Sequence, residues 1–111
     1  MQITITDNAG TTAKIALVGK LDIAGAEVVA TPLAALAGSK KAVIVDLSGV
    51  TFLASIGLRH LVSATKTLSR KGGKLVLVNP SDLVNDVLIT SGVNELMSIV
   101  ATESEAYALV A

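Results

Sequence analysis

Residues 42–78 read AVIVDLSGVTFLASIGLRHLVSATKTLSRKGGKLVLV, and the change of period along them decides the fold. Residues 42–47 are a continuous apolar run broken only by Asp46, the pattern of a strand covered on both faces inside a mixed or parallel sheet. Leu58, Leu61, Val62, Thr65 and Leu68 then recur at helical spacing, one buried stripe of a helix that Gly72 and Gly73 stop. Residues 74–78 form a second apolar strand. Strand, helix, strand predicts a crossover unit with its helix laid on the sheet.

The same reading extends outward. Residues 2–6 and 12–18 are rich in β-branched side chains and predict two strands, with Asp7, Asn8, Ala9 and Gly10 as a hairpin turn. After Asp22 the period lengthens: Ala26, Val29, Ala30, Leu33, Leu36 and Ala37 share one helical face. Pro32 falls inside this pattern and should kink the helix, or restart it with Thr31 as N-cap, and Gly38 should end it. Asn79, Pro80 and Ser81 turn into a helix with Leu83, Val84, Val87 and Leu88 inward and Gly92 as C-cap. Residues 96–100 give a short last strand. Thr102 and Glu105 make a capping box for a terminal helix carrying Ala106, Leu109 and Val110. The expected fold is α/β: one domain over residues 1–111, with a mixed, mostly parallel sheet of four to five strands flanked by about four helices.

Composition narrows the function. A chain of 111 residues can bury roughly two-thirds of its unfolded surface. Phe52 and Tyr107 are the only aromatics, so the core must be aliphatic. No apolar run approaches the ~20 residues of a spanning helix, and no basic segment precedes an apolar one at the start, so neither a membrane span nor a secretory signal is expected. With no cysteine there is no disulfide framework, and cytoplasm is the default location. Nine basic and nine acidic residues cancel. Arg70, Lys71 and Lys74 read as cations at a helix C-terminus and the turn after it, which argues against nucleic acid as a partner.

Catalytic chemistry is hard to assemble. His60 is the only histidine and falls off the buried stripe of its helix, as a solvent-exposed side chain would. Metal ligation would need more His, Cys or clustered carboxylates, so no metal and no cofactor is expected. Asp82 and Asp86 read as first-turn and solvent-face charges, and Gly19, Gly25 and Gly38 do not make a phosphate loop. What remains is a surface. Ser55 stands at a helix start as a candidate N-cap, a role that stabilises by ~1 kcal/mol. Ile56 should point away from the core beside it, between the small residues Ala54 and Gly57.

The segment DLSGVTFLASIGLR, residues 46–59, resembles the STAS domains of bacterial anti-sigma factor antagonists. It is similar to that family's strand ending in D-L-S, a hydrophobic pair, then D-S-[ST]-G-L. Gly19-Lys20-Leu21-Asp22, Gly72-Gly73-Lys74-Leu75 and Thr90-Ser91-Gly92-Val93 are secondary matches in the right order. The resemblance covers essentially the whole chain. It implies a non-enzymatic binding protein that engages an anti-sigma serine kinase of histidine-kinase-type ATP fold. The kinase phosphorylates the motif serine and thereby releases the antagonist, and a PP2C-like phosphatase resets it.

By position Ser55 matches the phosphorylated serine, Ile56 the second hydroxyl residue, Gly57 the glycine and Asp22 the family's acidic residue near the site. Asp22, Leu53, Ala54, Ser55, Ile56, Gly57 and Arg59 form the expected partner surface. Arg59, four residues after Ser55, could pair with its phosphate. The departure is Ala54, where the family usually has aspartate. Three other readings stay open: a constitutive docking subunit with Ser55 only an N-cap, an accessory STAS subunit of a transport system, and weak nucleotide binding or hydrolysis, which has only Asp22 in its favour. The chain itself is expected to be a monomer or weak dimer.

Overall fold

The computed structural model describes residues 1–8 and 10–111, with side chains at all of these except Asp7 and Asn8. The hairpin turn expected at Asp7, Asn8, Ala9 and Gly10 passes through Ala9, outside the described residues. In chain order the elements are β1 (Gln2–Asn8), β2 (Thr12–Leu21), α1 (Ile23–Ser39), β3 (Ala42–Leu53), α2 (Ser55–Ser69), β4 (Lys74–Val78), α3 (Asp82–Ser91), a 3-10 turn (Val93–Glu95), β5 (Ser98–Val100) and α4 (Glu103–Val110). The strands make one sheet in sequence order, β1 antiparallel to β2 and every later neighbour parallel. The α/β architecture with a mixed, mostly parallel sheet is therefore as the sequence predicts.

Burial follows the period of each element. Val43, Val45 and Leu47 of β3, with Leu75 and Leu77 of β4, face the main core, which Val29 and Leu33 of α1, Leu61 and Leu68 of α2 and Val84 and Leu88 of α3 complete. The alternate residues Ile44, Val76 and Val78 face the other way and are buried against Ala106 of α4. Two-sided burial of β3 and β4 explains why both are continuous apolar runs. The Lys14 ammonium on β2 pairs with Glu103 at the start of α4. A hydrogen bond to that carboxylate holds the Lys14 pKa above its ordinary value.

Several boundaries differ from the sequence expectation. α1 runs unbroken through Pro32 to Ser39, and Thr31 caps nothing. The proline withdraws the N–H that would bond the Val28 carbonyl; Val28 is exposed, so water can satisfy that oxygen. β3 continues past Leu47 to Leu53, because β2 also runs on to Leu21 and the two stay paired across two register shifts. β5 is only three residues, the expected strand start being taken up by the 3-10 turn and Leu96. Leu83, expected inward, is exposed, as is Leu109 on the terminal helix. Gly92 does end α3 in the left-handed conformation, φ 80°. Thr102 does cap α4, accepting from the Glu105 N–H at 3.2 Å.

Candidate partner-binding site

The long pairing of β2 with β3 sets Leu21 opposite Leu53. Both strands end there and turn at once into helices, so the N-termini of α1 and α2 lie side by side. A hydrogen bond from the Ala54 N–H to the Leu21 carbonyl, 3.0 Å, ties the two turns together. This brings Asp22, Leu53, Ala54, Ser55, Ile56 and Gly57 to one end of the sheet, with Arg59 exposed one turn further along α2.

The two helix starts are finished differently. Asp22 is the N-cap of α1, its Oδ1 accepting from the Gly25 N–H at 2.9 Å. The Gly25 backbone comes so close to the preceding turn that a Cβ there would lie 2.1 Å from the Lys20 carbonyl oxygen. At α2 the N-cap position is held by Ala54, with φ −93° and ψ 166° and no side-chain hydrogen bond. Ser55 is therefore the first residue inside the helix and not its cap, a correction to the sequence reading: the cap is the residue before it, and an alanine methyl can accept nothing. The Ala54 carbonyl accepts from Gly57 and Leu58 at 3.0 and 3.2 Å. The Ser55 and Ile56 N–H groups have no acceptor among the described residues, as expected of an uncapped first turn, and that turn holds no acidic side chain.

The Ser55 side chain is exposed. Beneath it Gly57 is buried, and a Cβ there would meet Leu21 Cγ at 2.7 Å and Leu53 Cδ1 at 3.0 Å. Gly57 thus lets the first turn of α2 rest directly on the core and fixes where Ser55 is presented. Leu53, expected in the contact surface, is 4% exposed and supports that surface from below. Ile56 is half-buried rather than free in solvent. The more exposed apolar groups are two that the sequence reading did not single out as site residues: Ile23 at the start of α1, 71% exposed, and Phe52 at the end of β3, 44% exposed. Only Asp22 before Ile23 and the rarity of aromatics at Phe52 could have flagged them. Lys20, opposite Phe52 across the β2–β3 pair, is also exposed.

His60, expected in solvent, is half-buried and lines a small cavity of about 70 Å³ between α1 and α2, with Ala30, Leu33 and Ser63. A larger open cleft of about 740 Å³ lies at the β5 side among Thr65, Ile89, Leu96, Met97 and Leu109, and none of the expected site residues lines it. Among the described residues no group of three or more His, Cys, Asp or Glu is placed to hold a metal ion, and no helix is long and apolar enough to cross a membrane.

The family model of the STAS domain matches residues 1–106. The chain belongs to the STAS domain family. A comparison with curated proteins finds no sequence match. Among solved structures, the anti-sigma factor antagonist SpoIIAA in its unphosphorylated form is 25% identical over 97% of this chain and 95% of its own, with a TM-score of 0.83. The Bacillus cell fate determinant SpoIIAA in the phosphorylated form matches at 24% identity over 97% and 98% of the two chains, TM-score 0.76. The murine anion transporter Slc26a9 matches at 20% identity over 93% of this chain but 18% of its own, TM-score 0.76. The STAS chain described here thus has the fold of the anti-sigma factor antagonists, a fold that also occurs as a small part of a membrane transporter.

Proposed function

We propose that this STAS domain is an anti-sigma factor antagonist that binds an anti-sigma serine kinase through the α1–α2 end of the sheet and is released by phosphorylation of Ser55. The observation that carries this reading is the setting of Ser55: an exposed hydroxyl on an uncapped helix start, at the end of the sheet that also carries exposed apolar Ile23 and Phe52. In the modifying step the Ser55 oxygen forms a bond to the γ-phosphorus of ATP, the bond to ADP breaks, and the hydroxyl proton goes to a base of the kinase. A PP2C-like phosphatase returns the serine by hydrolysis. A SpoIIAA relative is known in unphosphorylated and phosphorylated forms, which supports the same cycle here.

The switch follows from electrostatics. A phosphoserine adds about −1.5 to −2 charge at neutral pH. The free N–H groups of the α2 start accept it within the folded domain, whereas in the complex it must be desolvated beside Ile56 and Phe52. A coupling of ~3 kcal/mol would weaken the complex by roughly a hundredfold or more. The test is calorimetry against the histidine-kinase-type serine kinases of the source genome, using wild type, Ser55→Ala and Ser55→Asp. Tight binding by wild type and Ser55→Ala, lost in Ser55→Asp, together with ATP-dependent incorporation of one phosphate into wild type and none into Ser55→Ala, is the expected result. Equal binding by all three would instead favour a constitutive docking subunit, the reading that Ala54 in place of the usual aspartate supports.

A further inference from the structure

The sheet has two free edges, and the fold treats them differently. β5 is only three residues long, and shortness is one of the ways a protein blunts an edge. β1 has seven residues and pairs only with β2. Edges of that length are ordinarily guarded by a lysine, a proline, a bulge or a covering element. Of the seven residues of β1 only Asp7, next to the turn, is charged, and none is a lysine or a proline. The β1–β2 register runs without a shift, both irregularities of the sheet lying between β2 and β3. Gln2, Thr4, Ile5 and Thr6 are all exposed, Ile5 at 46%.

The geometry points to a second copy of this chain as the occupant of that edge, pairing antiparallel through β1 about a two-fold axis at Thr4. A two-fold contact must be complementary to itself, and this strand is. With Thr4 opposite the partner's Thr4, Ile3 faces the partner's Ile5 and Gln2 faces the partner's Thr6. Ile3 and Ile5 lie on the face of the main core, since Ile3 is opposite Leu17 and Ile5 opposite Ile15. Each exposed Ile5 is then covered by an isoleucine already packed against its own core, and the Gln2–Thr6 and Thr4–Thr4 pairs fall on the other face. A slip of one residue would set isoleucine against threonine and turn one copy's apolar face over. The alternation excludes such odd shifts, and of the even ones only the register centred on Thr4 sets both isoleucines against isoleucine: a centre at Ile3 would set Ile5 against Met1, and one at Ile5 would set Ile3 against Asp7. A formal net charge of zero leaves no long-range repulsion between copies. The contact is a strand pair, smaller than a standard interface, so the dimer is a weak one that forms as concentration rises. It uses the outer edge of β1, two strands away from the end of β3 where Ser55 begins α2, and leaves Ser55 open in both copies.

Sedimentation velocity from about 10 μM to about 1 mM tests this with wild type, Thr4→Lys, Thr4→Glu and an equal mixture of the two variants. Wild type should move from the 11.2 kDa monomer towards twice that mass. Each variant alone should stay monomeric, because like charges would stand directly opposite across the axis. The mixture should associate again, as opposite charges meet. Thr4 is exposed, so the variants keep the fold, which circular dichroism checks. Wild type that remains monomeric throughout, a Thr4→Lys variant that associates as wild type does, or a mixture that fails to regain association would each overturn the assignment.

Discussion

Replacing Ala54 by aspartate should make this protein more stable, against the usual direction of point mutations. Among the described residues, three of the four α-helices are closed by a side chain at the N-cap: Asp22 accepts from Gly25 at 2.9 Å, Ser81 from Val84 at 3.3 Å and Thr102 from Glu105 at 3.2 Å. α2 alone is not, although the Ala54 backbone, φ −93° and ψ 166°, already has the extended shape of the Asp22 cap, φ −90° and ψ −165°. The introduced carboxylate needs no backbone change to reach the N–H groups of the first turn, including the Ile56 N–H, which now has no acceptor among the described residues. Capping contributes about 0.5–2 kcal/mol, and a charge at the positive end of the helix about 0.3–1 kcal/mol more. A gain of about 1–2 kcal/mol corresponds to roughly 4–8 °C in a domain of this size. Urea denaturation at pH 7 measures it, with Ala54→Asn as the uncharged cap.

The pH dependence separates the two contributions. A capping carboxylate has its folded pKa below the unfolded value near ~3.9, so its extra stability is present above that pH and is lost as pH falls through the folded pKa. The asparagine gain should persist at low pH. The Ala54→Asp variant should also lose part of the benefit of a phosphate at Ser55, because the two negative charges would compete for the same N–H groups. An unchanged or lowered unfolding midpoint in both variants would refute the assignment of Ala54 as an open cap position.

Two further outcomes follow from contacts around the site. Gly57→Ala should destabilise by about 1–3 kcal/mol through overpacking, since its new methyl meets the Leu21 and Leu53 side chains at 2.7–3.0 Å; under the proposed function it should also weaken kinase binding by moving the first turn of α2, and a variant of wild-type stability in urea would contradict that packing. Glu103→Gln should cost no more than about 1 kcal/mol, because both partners of the Lys14 pair are partly exposed; as the Lys14 pKa is raised above 10.5, the difference from wild type should hold below pH 10.5 and close above it, where urea titrations at pH 8 and pH 11.5 would show it.

The order of elements was legible because each has a clean period: β4 came out at its expected residues 74–78, and the capping residues of α3 and α4 acted as read. What escaped was set by neighbours distant in sequence. Residues 48–53 lack the apolar continuity of residues 42–47, and they are strand only because β2 continues alongside them. Pro32 argues locally for a break, but Val29, Leu33 and Ala37 on either side of it are buried on one face, and that burial holds the helix through the proline. Ser55 was misplaced by one residue because a serine at a helix start is a good cap; that the chain puts an alanine there instead is visible only from the backbone. Ile56 looked free because its neighbours are small, yet the close seating of Gly57 on Leu21 and Leu53 draws the whole first turn inward.

That seating and the missing cap together shape how the proposed switch would work. Two helix N-termini, each with a positive partial charge, meet where β2 and β3 end. Asp22 offsets one of them; nothing offsets the other. In a site with the family's usual aspartate at the cap, a phosphate joins a negative charge already present and shares its N–H donors. Here the unmodified surface presents two free N–H groups, Ile23 and Phe52 to a partner, with no carboxylate in the first turn of α2. Phosphorylation at Ser55 would take that helix start from uncompensated positive to net negative in one step. Under the proposed function, the loss of aspartate at position 54 therefore widens the electrostatic difference between the two states of Ser55, at the cost of a less stable α2 in the unmodified one.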